Sequence, residues 1–337
     1  MRTRKDEGED SVLKRIRLAF DRSGGSHFRK VGGRKFDLLG MGDDAALVRP
    51  GRGREIVLTC DWFLEGTHFF RDKHPADSVG WKCLARAVSD VAAMGGVPRC
   101  FLLSLALPKE LAGGAWLDGF LGGLKRAASR FGCALAGGDT TARRGVLINV
   151  TVVGEVLRER AVRRTGARVG EVVYVSGRLG EAELGLRLLR SRKGRVARRD
   201  ARMRKHFYPE PRVELGRWLS ERRLVTGMMD LSDGLSSDLR RLCIASGVGA
   251  RVDARRLPVV RSAGRDALEL ALHGGDDYEL LFTVAKRDVG KVPRSLGGVG
   301  ITAIGEITRG RDVAVLDEDG RRLLLKAGGW DPFRRSR

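Results

Sequence analysis

Six short acidic clusters punctuate this chain, most of them with a glycine beside or just before an aspartate. They are Gly42-Asp43-Asp44, Cys60-Asp61, Ser89-Asp90, Gly137-Gly138-Asp139, Asp230-Leu231-Ser232-Asp233-Gly234 and Gly274-Gly275-Asp276-Asp277. Lys and Arg number 64 against 42 Asp and Glu, a net charge of +22, so the scarce carboxylates are concentrated where turns are expected. Asp and Gly are ordinary turn formers, and Asp caps helices, so any one cluster reads first as a turn. Recurrence changes that reading. Loops at one edge of an α/β sheet converge on a common crevice, where several carboxylates would repel one another unless cations bound them. Mg²⁺ suits such a place, because it takes oxygen ligands from a few carboxylates plus substrate phosphates.

At 337 residues the chain exceeds one ordinary core and suits two domains, residues 1–160 and 161–337, joined near the basic stretch Arg158–Arg168. No run reaches the roughly 18 consecutive apolar residues of a membrane span, and the start Met1-Arg2-Thr3-Arg4-Lys5-Asp6 has no signal-peptide core. A soluble, cytoplasmic protein is expected. Five cysteines without a Cys-x-x-Cys pair fit reduced thiols rather than a disulfide framework or a zinc site. The basic excess invites a nucleic-acid reading, and much of it lies in Arg187–Lys205. No aromatic residue is interleaved there for base stacking, so this segment reads as a solvated, arginine-rich insertion. Its field would still draw in anionic substrates.

Strand-like and helix-like segments alternate, which argues an α/β architecture of the α+β type. Glu55–Cys60 reads as a buried strand delivering Asp61 at its end, and residues 78–94 keep helical spacing up to Gly95-Gly96. Cys100–Leu107 is the next strand, Leu111–Phe131 a helix despite its glycines, and Gly145–Val156 a returning strand. In the second half, Glu171–Val175 and Tyr278–Val284 read as strands and Leu235–Ser246 as a helix. Val313–Leu325 reads as a hairpin around Glu318-Asp319-Gly320.

Asp90 falls in the last helical turn, where the dipole disfavours a carboxylate by about 0.3–1 kcal/mol. A cation should sit beside it, and Arg86 one turn earlier is the bland candidate. Other routes to the chemistry are missing. The chain has no G-x-x-x-x-G-K-[ST] loop, no His-Arg-Asp or Asp-Phe-Gly, no G-x-S-x-G and no H-E-x-x-H. Five histidines without paired spacing do not make a metal site.

Taken in order, the motifs resemble the thiamine-monophosphate kinase family. They are Gly42-Asp43-Asp44-Ala45-Ala46, Asp61 with Glu65-Gly66-Thr67-His68-Phe69, Ser89-Asp90-Val91-Ala92-Ala93-Met94-Gly95, Gly137-Gly138-Asp139-Thr140-Thr141, Arg164-Thr165-Gly166-Ala167, Pro209-Glu210-Pro211-Arg212, Asp230-Leu231-Ser232-Asp233-Gly234-Leu235, Gly274-Gly275-Asp276-Asp277-Tyr278-Glu279-Leu280 and Gly329-Trp330-Asp331-Pro332-Phe333. The resemblance runs from about residue 36 to the C-terminus. It implies the fold shared with aminoimidazole ribonucleotide synthetase, in which the N-terminal domain pairs with its twin to close a β-barrel across a homodimer and the C-terminal domain completes the ATP cleft.

The implied reaction moves the γ-phosphoryl group of ATP in line onto thiamine monophosphate, with several Mg²⁺ ions and no phosphoenzyme. By the same resemblance, Asp43, Thr59, Cys60, Asp61, Asp90, Asp139, Asp230 and Asp233 are the Mg²⁺ ligand positions, with Asp43, Asp61 and Asp139 acting in catalysis through metal. Gly138, Asp139, Arg164 and Ser232 would contact ATP, and His68, Asp276 and Trp330 would face thiamine monophosphate. The sequence departs from the family at Cys60, usually threonine, at Asp276, usually glutamate, and at Trp330-Asp331-Pro332, usually Tyr-Asp-His. A thiol is a poor Mg²⁺ ligand, so position 60 is expected to offer only its backbone carbonyl. Two other readings remain open: the same fold serving a different phosphorylated acceptor, and a basic nucleic-acid-binding protein that keeps the fold without turnover.

Overall fold

A computed structural model describes residues 9–20, 29–30, 37–39, 45–191, 201–260, 264, 266–326 and 328–330. The candidate ligand Asp43, the centre of the arginine-rich segment (192–200) and Asp331-Pro332-Phe333 lie outside these residues. The chain divides into two compact units. The first holds the chain up to Val91 and Val97–Arg158, and the second holds Ala92–Gly96, Glu159–Ser191 and the described residues from 201 onward.

The first unit opens with helix α1 (Glu9–Phe20) and three short strands, β1 (Arg29–Lys30), β2 (Asp37–Leu39) and β3 (Leu47–Arg49). Its main elements are β4 (Arg54–Leu64), α2 (Ala76–Ala93), β5 (Val97–Leu107), α3 (Ala115–Phe131), β6 (Ala134–Ala142) and β7 (Leu147–Leu157). Four strands form a sheet in the order β4-β7-β5-β6, in which only β5 and β6 run parallel. Among the described residues this sheet is open, with β4 and β6 at its edges.

Strand β4 is longer than its local pattern suggests. It pairs with β7 at every residue from Arg54↔Leu157 to Leu64↔Leu147, so Asp61 lies inside a strand rather than at its end. Asp139 is likewise inside β6. A long partner strand carries the pairing past the point where apolar alternation fades, a tertiary effect that overrides local signals.

Helix α3 starts at Ala115 rather than Leu111, and Lys109–Leu111 forms a 3₁₀ turn instead. Its glycines serve packing. A Cβ on Gly123 would come within 1.8 Å of the Asp77 carbonyl oxygen, and one on Gly80 within 2.0 Å of the Phe120 carbonyl oxygen. The two helices therefore cross at a distance that only hydrogen side chains allow. Val79, Leu84, Val88 and Val91 of α2, with Leu117, Phe120 and Leu124 of α3, supply buried apolar surface.

The second unit contains β8 (Val172–Ser176), α4 (Glu181–Ser191), α5 (Arg204–Phe207), α6 (Val213–Glu221), β9 (Gly227–Leu231), α7 (Leu235–Ser246), β10 (Gly249–Asp253), α8 (Ala267–His273), β11 (Glu279–Val284), β12 (Ser295–Leu296), β13 (Val299–Thr308), β14 (Val313–Leu316) and β15 (Arg322–Leu324). Its sheet runs β15-β14-β10-β13-β8-β11-β9, with β12 beside β13, and only β10 and β14 pair in parallel. β14 and β15 form the hairpin around Glu318-Asp319-Gly320.

Alternation splits the central strands between two cores. Val173, Val175, Met229, Leu231 and Leu281 join Leu235, Leu239 and Leu242 of α7. Tyr174, Met228, Leu280 and Phe282 join Leu215 and Leu219 of α6, with the Tyr174 and Phe282 rings stacked 5.4 Å apart.

A buried carboxylate sits between these layers. Glu279 of β11 is fully buried and receives Arg212 through Nε at 2.6 Å and Nη2 at 2.5 Å, the Lys205 ammonium, and the Ser176 hydroxyl at 2.5 Å. Burial alone would raise its pKa, but the Lys205 charge, followed by Arg212, brings the carboxyl down to about 2 from an ordinary 4.5. Because the folded value is depressed, the stabilisation is present above pH 4.5 and lost as pH falls towards 2.

Breaking a buried pair from one side costs about 3–5 kcal/mol. In urea unfolding, Glu279→Gln should therefore lower stability by about that amount at pH 7. The gap between variant and wild type should shrink as pH falls from 4.5 towards 2. A gap independent of pH would show that the carboxylate charge contributes nothing.

Candidate functional site

The first group of candidates lies on the β4-β7-β5-β6 sheet and the end of α2. The Thr59 hydroxyl donates to Asp90 Oδ2 at 2.5 Å, which joins β4 to the last turn of α2. This hydroxyl is one polar contact answering the dipole at Asp90. Arg86, the bland candidate, also places its guanidinium 5.4 Å from the centre of the Phe63 ring. Thr59 and Asp61 alternate onto the same face of β4.

Cys60 faces the other way, with its thiol against Asn149: Sγ donates to Oδ1 at 3.3 Å, and Nδ2 approaches Sγ at 3.1 Å. Ser104 pairs with Asn149 on one side and Asp139 on the other, which puts exposed Asp139 on the Cys60 face. The candidates thus divide between the two faces: Thr59, Asp61 and Asp90 on the helix-covered side, Cys60 and Asp139 on the opposite one. Gly138 precedes Asp139 in β6. His68 lies in the turn after β4, where Nδ1 accepts the Leu64 N–H at 3.0 Å. That contact assigns the ring proton to Nε2.

The second group is in the other unit. Asp230 is buried within β9, and Ser232 and Asp233 follow in the loop before α7. The Asp276 N–H donates to the Ser232 carbonyl at 2.8 Å, and the Trp330 N–H donates to the Asp233 carbonyl at 3.0 Å. Two acceptor-side candidates, Asp276 and Trp330, are thereby tied to the Asp230–Asp233 loop. Gly329 makes the docking possible, because a Cβ there would come within 1.9 Å of the Asp233 carbonyl oxygen. Trp330 keeps 43% of its surface exposed, so its ring is accessible to a ligand.

Asp276 and Tyr278 both adopt positive φ, 66° and 50°, and the Tyr278 hydroxyl donates to Asp276 Oδ1 at 2.7 Å. Each such residue stores about 1–3 kcal/mol, and strain of this kind clusters at ligand clamps. Between them Asp277 accepts the N–H groups of Gly180 at 2.6 Å and Ala182 at 3.2 Å, capping the start of α4. Burial pushes its carboxyl up to about 6.

Asp233 and Asp238 share Arg241, which donates to both. Asp238 also accepts the N–H groups of Asp233 and Gly234 at 3.0 and 3.1 Å. Burial, and then the neighbouring Asp233 charge, push Asp238 up to about 7. Arg241 and the supporting role of Tyr278 escape a sequence reading, since neither belongs to an acidic cluster. Arg164, the nucleotide candidate, is exposed, and its carbonyl accepts the Ser246 hydroxyl at 2.8 Å.

Donor chemistry decides which cation these residues suit. Hydroxyl and carboxylate oxygens dominate both groups, as Mg²⁺ requires, while the one soft donor, Cys60 Sγ, is engaged with Asn149. Among the described residues, His, Cys, Asp and Glu side chains do not converge in threes on a metal-sized point.

The comparisons with known proteins identify two family domains along the chain. Residues 42–156 match the AIR synthase related protein N-terminal domain, and residues 168–318 match the AIR synthase related protein C-terminal domain. The thiamine-monophosphate kinase of Escherichia coli strain K12 is 37% identical over 318 residues, covering 91% of this chain and 96% of that protein. The crystal structure of thiamine-monophosphate kinase from Stenotrophomonas maltophilia K279a superposes with a TM-score of 0.76 at 35% identity, covering 93% of this chain and 96% of that one. AaThiL complexed with AMPPCP and TMP has a TM-score of 0.73 at 31% identity, with 96% of each chain covered. With both domains matched and identity above 30% along most of its length, this chain belongs to the thiamine-monophosphate kinase family of AIR synthase related proteins.

Proposed function

We propose that this protein transfers the γ-phosphoryl group of ATP directly to thiamine monophosphate, giving thiamine diphosphate and ADP. The observation that carries the reading is the docking of Gly329-Trp330 on the Asp233 loop beside the strained Asp276, in a chain whose relative AaThiL has been solved with AMPPCP and TMP. An exposed indole offers a face for the cationic, aromatic thiamine. Asp276, held by Tyr278, offers a carboxylate to the same ligand.

The acceptor is a phosphate monoester whose second pKa is about 6, so an oxygen is already anionic at neutral pH and no strong base is required. What must be overcome is repulsion between two polyanions, which positioning and electrostatic stabilisation accomplish. When bound, Mg²⁺ would supply charge neutralisation on the transferred and leaving oxygens. Several such ions would be shared among Asp43, Thr59, Asp61, Asp90, Asp139, Asp230 and Asp233, with Cys60 offering its carbonyl. Gly138, Arg164 and Ser232 would orient ATP, Arg164 through its fork of donors, and His68 would face the acceptor.

The working form we propose is a homodimer that closes a barrel through the first unit. Ile56, Leu58, Trp62 and Leu102 support this, with 39, 67, 52 and 38% of their surfaces exposed on one sheet face. A cytoplasmic setting is supported by five free cysteines, four of them buried.

The reaction is tested by following ADP release with ATP and Mg²⁺, with and without thiamine monophosphate, and identifying the product by mass. Thiamine diphosphate in step with ADP is expected; ATP turnover or binding without it would redirect the search to another acceptor. Asp61→Asn and Asp139→Asn should each lower kcat by at least about 100-fold, the scale of losing a charge-stabilising group. Near wild-type rates in either would remove that residue from the metal set. Trp330→Ala should raise the KM for thiamine monophosphate by roughly tenfold, as loss of a cation–π contact implies, and leave the KM for ATP unchanged.

A further inference from the structure

We infer a second anion site in the second unit, away from the acceptor loop: a cavity of about 220 Å³ that takes inorganic phosphate or pyrophosphate. Its polar lining includes Arg160, Arg163 and Arg223 with Glu159, Thr165 and Ser220. Three guanidinium groups against one carboxylate make it a cationic pocket, and guanidinium is the side chain best shaped for phosphate oxygens. One donor there is already committed to the interior without a partner. Arg160 Nη1 is buried and makes no hydrogen bond among the described residues. A buried cationic donor without a protein acceptor favours an anion entering the cavity beside it.

The walls are built rather than loose. The Arg160 carbonyl accepts the Ser220 hydroxyl at 2.6 Å, the Val162 N–H donates to Met94 O at 3.1 Å, and the Arg163 carbonyl accepts the Met228 N–H at 3.1 Å. Glu159 and Arg223 both hold positive φ, 61° and 54°, at the cavity lining. The volume lies below the roughly 300–1,000 Å³ of pockets for drug-sized ligands, which restricts the occupant to a small oxyanion. Arg164, assigned to ATP, does not line the cavity.

The test is calorimetric titration of the full chain with orthophosphate and with pyrophosphate at fixed ionic strength, with AMPPCP in excess to fill the nucleotide site. One equivalent should bind, and Arg160→Gln and Arg223→Gln should each weaken binding at least tenfold while leaving kcat unchanged. Arg223 is exposed, so its variant keeps the test sound should Arg160→Gln fail to fold. Absence of binding, displacement of the anion by AMPPCP, or equal affinity in wild type and the Arg223→Gln variant would overturn the site.

Discussion

The second unit is organised around a carboxylate that water cannot reach. Glu279 is held by Lys205 and Arg212 from segments 74 and 67 residues away, and by Ser176 from the neighbouring strand. An ion taken out of water costs several kcal/mol unless charge and hydrogen bonds answer it, so the three partners must be in place together. Two residues earlier, Asp277 pins the start of α4. The short run between Gly275 and Leu280 is therefore clamped at alternate positions, which keeps Asp276 and Tyr278 in left-handed conformations they would otherwise leave. The geometry of the proposed acceptor residue Asp276 thus depends on an electrostatic anchor three residues further along the chain.

The first unit uses a different device. Full-length pairing of β4 with β7 fixes the pleat, and the pleat assigns each polar residue to a face: Thr59 and Asp61 towards Asp90, Cys60 and Trp62 away. A one-residue slip would exchange the two sets, so apolar Val57 and Phe63, both buried, enforce the register that places the carboxylates. Replacement of the usual threonine by cysteine at position 60 is accommodated because that side chain finds Asn149 across the ladder.

Much of this was legible in the residues. The order of the acidic motifs pointed to the family, and helices α2 and α7 followed from apolar spacing and their glycine stops. What was not legible is long-range. The ends of β4 and β6 are set by partner strands, so Asp61 and Asp139 read as turn residues although they lie in strands. The glycines of α3 argue against a helix locally, and only its crossing with α2 accounts for them. Glu279 looks like any strand-edge acid until Arg212 and Lys205 are brought to it. Arg241 carries no motif at all, and its pairing with Asp233 and Asp238 depends on the loop folding back onto α7.

The charge excess takes on a different meaning in this setting. Part of it is structural: Arg99 meets Glu155 at 2.9 Å with both side chains almost fully buried, and Arg212 meets Glu279. Each of these buried carboxylates cancels one of the charges beside it, Lys205 and Arg212 at Glu279 and Arg54 and Arg99 at Glu155. Other basic residues are exposed, Arg163, Arg164 and Arg223 among them, on a protein whose proposed substrates are both polyanions. Screening over about 8 Å at physiological salt confines their field to the immediate surface, where it raises the local concentration of phosphates. Basicity of this kind needs no nucleic-acid partner to explain it, because the interleaved aromatics that base stacking requires are missing from the arginine-rich segment itself.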